Sequence, residues 1–146
     1  MTRPRGAAAR VCLVSLVAAG ALIVGCGRAP AEQTTVRIGA DSWTVLIADR
    51  DGMRGRADFE GADGMLFDLD QDVPPGTVHF VMDGVAFPLD IAWFEGDGDL
   101  VGTASMATCP AKPCPKYAPE GAFRWAVEAP VGAFDDLDPG ARLEVP

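Results

Sequence analysis

The chain has 146 residues, with 12 lysines and arginines against 21 aspartates and glutamates, a formal charge of −9. That balance argues against nucleic acid, which calls for basic patches that displace counterions, and against a domain lying flat on anionic lipid. The length suits one domain with its own core.

The first element is an address. Arg3, Arg5 and Arg10 precede an apolar run from Val11 to Val24. The run falls short of the roughly 20 apolar residues that a bilayer-spanning helix needs. A basic start, a short apolar stretch and small residues before a break form the secretory signal pattern. Ile23-Val24-Gly25-Cys26 resembles the lipobox of bacterial lipoproteins. Residues 1–25 are therefore expected to be a signal peptide, Cys26 the lipidated N-terminus, and the location extracytoplasmic, with lipid on Cys26 as the membrane attachment. Losing three arginines lowers the formal charge from −9 to −12. Residues 26–34 read as a short polar tether, of which 27–34 reach roughly 30 Å at most.

Residues 35–146 read as one β domain. Short runs rich in Val, Ile, Phe and Trp alternate with turn clusters. The expected strands are Val36–Ile38, Trp43–Asp49, Met65–Leu69, Val78–Met82, Phe87–Phe94, Leu100–Met106, Phe123–Glu128 and Arg142–Val145. Asp83-Gly84 is a hairpin signal, and Gly96-Asp97-Gly98 signals a second. Glycines 52, 55 and 61 make residues 50–63 a loop or short helix, and Val131 to Leu137 a candidate helical turn. About eight short strands predict an all-β fold, a compact single-domain sandwich or barrel.

Cysteine arithmetic leaves one pair. Cys12 belongs to the signal and Cys26 to the lipid, so Cys109 and Cys114 are expected to form a disulfide outside the reducing cytosol. Zinc would need a second half-site, and residues 27–146 hold no further thiol and one histidine. The loop CPAKPCPKY carries the only lysines, Lys112 and Lys116, and ends in the only tyrosine, Tyr117. Three prolines stiffen it. With His79 these residues form the candidate binding surface for an envelope protein or small ligand.

Asp90 stands among apolar residues in FPLDIAWF. A buried carboxyl requires a cation or donors, and Arg56 is the expected ion-pair partner, pinning the 50–63 loop to the sheet. The rival reading makes Asp90 or His79 a catalytic group of a hydrolase, but no nucleophile–base set accompanies them. Met53, Met65, Met82 and Met106 with His79 could hold copper, although methionine usually fills cores. Asp68/Asp70/Asp72 and Glu95/Asp97/Asp99 have calcium-loop spacing, yet Val73 and Leu100 stand where the glycine is required. No cofactor, metal or catalytic residue is assigned.

GMLFDLD (64–70), HFVMDGVAFPLDIAWFEGDGDLVG (79–102) and CPAKPCPKY (109–117) together resemble the bacterial and archaeal family called domain of unknown function 192. The resemblance implies a compact jelly-roll β fold with no established activity. Arg56 and Asp90 match its pattern. Arg54 stands where the family has Met, Val81 where it has Trp, Asp83 where it has Lys, and Gly84-Val85 where it has Asn-Thr. The expected function is a non-enzymatic binding domain of an envelope lipoprotein; the alternatives are the hydrolase or a metal-handling protein.

Overall fold

The computed structural model describes residues 12–14, 24–26 and 30–146. The chain divides into two units, Met1–Ala31 and Glu32–Pro146. In the first, β1 (Cys12–Val14) pairs antiparallel with β2 (Val24–Cys26). The rest of the expected signal peptide and the lipid-accepting side chain of Cys26 lie outside the described residues.

The second unit is a curled mixed sheet of seven strands. In chain order these are β3 (Gln33–Ile38), β4 (Asp41–Ile47), β5 (Gly64–Val73), β6 (Leu89–Phe94), β7 (Leu100–Met106), β8 (Phe123–Pro130) and β9 (Leu143–Glu144). The spatial order is β7-β6-β8-β5-β4-β3-β9. All neighbours are antiparallel except β4 and β5. The all-β barrel-or-sandwich expectation is met, and no helix occurs among the described residues. Strand β3 starts at Gln33, so two residues assigned to the tether are sheet.

Curling brings the two sheet edges together at one end. The Gly96–Gly98 turn makes the expected β6–β7 hairpin, and its tip reaches β9. Leu143 N–H donates to the Gly98 carbonyl at 2.8 Å, and Asp99 bridges Arg142. Gly98 has φ of 98°, and a Cβ there would stand 2.2 Å from the Leu143 carbonyl oxygen. This latch needs glycine for both reasons.

Each face of the sheet is covered. On one, Val36, Ile38, Val45, Leu66, Ala92, Phe94 and Val127 form a core closed by Phe134, whose ring stacks on Trp43. The 131–137 segment supplies this lid as consecutive turns rather than a helix. On the other face, register places Met65, Glu128 and Ile91 side by side. The 48–63 loop adds buried Met53 and Phe59. A Cβ on Gly52 would lie 3.1 Å from the Phe67 ring, so this loop lies on the Phe67 side.

The 78–82 segment departs from expectation. It is not a strand, and Asp83-Gly84 does not close a hairpin. Phe80 instead exchanges both backbone hydrogen bonds with Tyr117, at 2.8 and 2.9 Å. Its ring packs against Phe67, Trp93 and Phe123. Period-2 burial survives, with Phe80 and Met82 inside and Val81 outside, but the backbone partner is the disulfide loop.

Candidate functional site

The loops flanking the Phe80–Tyr117 bridge converge. Cys109 and Cys114 are joined by the expected disulfide. Arg54 Nη2 donates to Asp83 Oδ2 at 2.9 Å, and Lys112 Nζ lies 3.2 Å from the same oxygen. The Gly55 N–H donates to the Gly84 carbonyl at 3.0 Å. One carboxylate thus ties the 50–56 loop, the 83–85 turn and the disulfide loop together. The hydrogen bond from Arg54, then that from Lys112, holds the Asp83 carboxyl below the usual range. Tyr117 Oη accepts from the Ala107 N–H at 3.3 Å, fastening the loop to the end of β7.

The expected binding surface is assembled in part. His79 directly precedes Phe80, the bridge partner of Tyr117, and both His79 and Lys116 are exposed. Lys112 is exposed too, but its ammonium is engaged by Asp83. The sequence reading did not foresee this pair. Its signal was there: both Arg54 and Asp83 depart in charge from the family pattern.

Arg56 does not pair with Asp90. Arg56 is buried, bonded to Glu60 and donating from Nε to the Gly52 carbonyl at 3.1 Å. It stabilises its own loop internally. Asp90 Oδ2 accepts from the Gly132 N–H at 2.7 Å. The separation follows from register. Asp90 lies opposite Ala129 and Phe67 opposite Ala126, so they occupy opposite faces of the sheet. The Arg56 loop is on the Phe67 face.

Asp90 forms part of an open depression of about 280 Å³, with Thr103, Ala104, Ser105, Phe134 and Asp135. The residue is 4 % exposed, and among the described residues no group donates to its Oδ1. His79 does not line this depression.

The soft-ligand set divides: His79 is on the surface while Met53, Met65, Met82 and Met106 are in the core. Glu95, Asp97 and Asp99 do gather, with carboxylate oxygens within 4.8 Å of one another. They are exposed, and Asp99 pairs with Arg142 at 2.7 Å. Asp68 is held by Arg124 in a two-pronged pair at 2.9 and 3.1 Å. That pair lowers the Asp68 carboxyl below its ordinary range.

Glu128 went unremarked in the sequence. It sits in β8, an inner strand between β6 and β5, 6 % exposed, and burial raises its carboxyl to about 7.

Residues 32–145 match the profile of DUF192, described as an uncharacterized ACR. The chain belongs to this family. The profile covers nearly all of the second unit, including both halves of the loop cluster. No curated protein matches the chain. Among solved structures, a "putative transcription regulator" from Sinorhizobium meliloti 1021 is 24 % identical, with a TM-score of 0.67 over 81 % of this chain and 97 % of that one. A protein of unknown function from Novosphingobium aromaticivorans DSM 12444 is 17 % identical, with a TM-score of 0.63 over 97 % of this chain and 99 % of that one. At these identities the likeness is one of fold.

Proposed function

We propose that this DUF192 protein is an envelope lipoprotein whose β domain binds a partner protein or small ligand through the loop cluster around Tyr117, without catalysing a reaction. The observation that carries the reading is the double engagement of Asp83 by Arg54 and Lys112. Together with the disulfide it makes three loops one prepaid surface, which lowers the ordering cost of binding. The lipid anchor is supported by the basic start, the short apolar run and Cys26. It keeps this surface within a short tether of a membrane.

A hydrolase would draw on a catalytic group positioned with its partners. Asp90 and His79 do not share a depression, and the hydrogen bond to Asp90 comes from a backbone amide.

The test is crosslinking in intact cells followed by affinity isolation of the full-length protein, comparing wild type with K112E/K116E. K116E alone serves as the variant that leaves the Asp83 pair intact. A crosslinked species that both variants lose supports the reading. One retained by both counts against it. The anchor is tested by fatty-acid labelling: C26S should abolish incorporation and release the protein from membranes, and labelling that persists in C26S would exclude Cys26 as the site.

A further inference from the structure

The β7 edge is the outermost edge of the sheet on its side. Beyond β6, its backbone from Gly102 to Met106 bonds to nothing among the described residues. Natural sheets blunt such edges with charge, proline, bulges or a covering segment. The sequence of β7, LVGTASM, holds no charged residue and no proline. Its one irregularity, the extra residue Val101 between Leu100 and Gly102, borders this stretch at Gly102 and leaves Thr103 to Met106 in regular register with β6.

The depression at Asp90 lies against this same stretch. Register places Ser105 opposite Asp90 and Thr103 opposite Ala92, so Thr103 and Ser105 share the Asp90 face. Both are exposed, where the corresponding residues of β6 are buried. Asp90 is fixed by the Gly132 N–H at 2.7 Å, and its other oxygen receives no donor among the described residues. A buried acceptor without a donor is costly, and a donor entering the depression relieves that cost. Asp135, exposed at the rim, adds a second carboxyl. A strand laid along β7 would project alternate side chains to this face, at the spacing that brings one over the depression.

We propose that the β7 edge accepts an extended peptide segment by strand addition, and that the Asp90–Asp135 depression takes a lysine or arginine side chain of that segment. Main-chain pairing supplies the affinity and the acidic depression the selectivity. This surface is separate from the loop cluster and stands whether or not that cluster engages a partner.

The test uses the full chain in a non-ionic detergent and a capped seven-residue peptide of alternating threonine and valine with lysine at its centre. Titration calorimetry gives affinity, and amide hydrogen exchange gives location. The expected results are a Kd of about 1 mM or tighter, new protection at residues 102–106, and binding at least about tenfold weaker for the norleucine analogue or the D135N variant. Backbone N-methylation of the peptide should abolish binding. Equal affinity for lysine and norleucine peptides overturns the proposal, as does binding that survives N-methylation or no binding at about 5 mM. Protection of 102–106 without peptide, accompanied by dimers in sedimentation, would assign the edge to a second copy of the chain and equally overturn it.

Discussion

The carboxylate of Asp83 holds Arg54 and Lys112 at once, at 2.9 and 3.2 Å. In the DUF192 pattern that the sequence resembles, a lysine stands at the position of Asp83 and a methionine at that of Arg54; here the cation is Arg54, 29 residues earlier, and Asp83 is the carboxylate it shares with Lys112.

The direct contact between Arg54 and Asp83 predicts non-additivity. D83K alone places three cations together and should loosen the disulfide loop. D83K combined with R54M removes one of the three cations and should recover part of the loss, Lys112 still lacking its carboxylate. Exposed pairs contribute little to global stability, so the readout is local: amide exchange at 109–117 should quicken in D83K and return toward wild type in the double variant. Additive effects would show the two positions to be independent. Because the Asp83 carboxyl is held below its ordinary 3.8, its contribution is present above that pH and is lost as the pH falls through the lowered value.

Glu128 gives a pH dependence of opposite sign. Its carboxyl is raised from 4.5 to about 7 by burial beside Met65 and Ile91. The folded state prefers the protonated form, so this contribution is fully present below 4.5 and is lost as the pH rises to about 7. The whole effect is about 3 kcal/mol. E128Q keeps a neutral side chain of similar shape at every pH. Urea unfolding at pH 4 should show E128Q near wild type, whereas at pH 8 the variant should be the more stable by about 2–3 kcal/mol. A constant difference across that range would mean Glu128 does not titrate between the two states.

The latch between the β6–β7 turn and β9 rests on Gly98. Alanine there faces both a φ of 98° and a carbonyl oxygen 2.2 Å from its Cβ. G98A should cost at least about 2 kcal/mol and expose the amide of Leu143, which donates to the Gly98 carbonyl. G102A has open space around its new Cβ and serves as the control. Comparable melting of the two variants would show that edge closure adds nothing to stability.

The strands that carry the core were legible because alternation of apolar side chains reports burial directly, and Leu100–Met106 has the expected ends. Burial was also legible at Asp90. What alternation cannot report is the identity of a backbone partner. Val78–Met82 has the burial rhythm of a strand, yet Phe80 pairs with Tyr117, 37 residues on, because its ring fills the space between Phe67, Trp93 and Phe123. Glu128 was missed for a related reason. By strict alternation it would share a strand face with Arg124 and Ala126, which reads as a polar side, but β8 lies mid-sheet between β5 and β6 with both faces covered. Arg56 had a nearer partner than Asp90 in Glu60, four residues on, and local geometry decided between them.

The disulfide provides the last prediction. Cys109 and Cys114 close a loop of six residues, which by loop-closure entropy contributes about 2 kcal/mol. The loop's other attachments do not depend on the bond: Tyr117 pairs with Phe80, and Lys112 with Asp83. C109S/C114S should therefore fold, with the denaturation midpoint lowered by an amount matching about 2 kcal/mol and the slope unchanged. Exchange should rise at 110–116 and stay slow at Phe80 and Tyr117. Fast exchange at those two amides would show instead that the covalent staple, and not the bridge to Phe80, positions the loop.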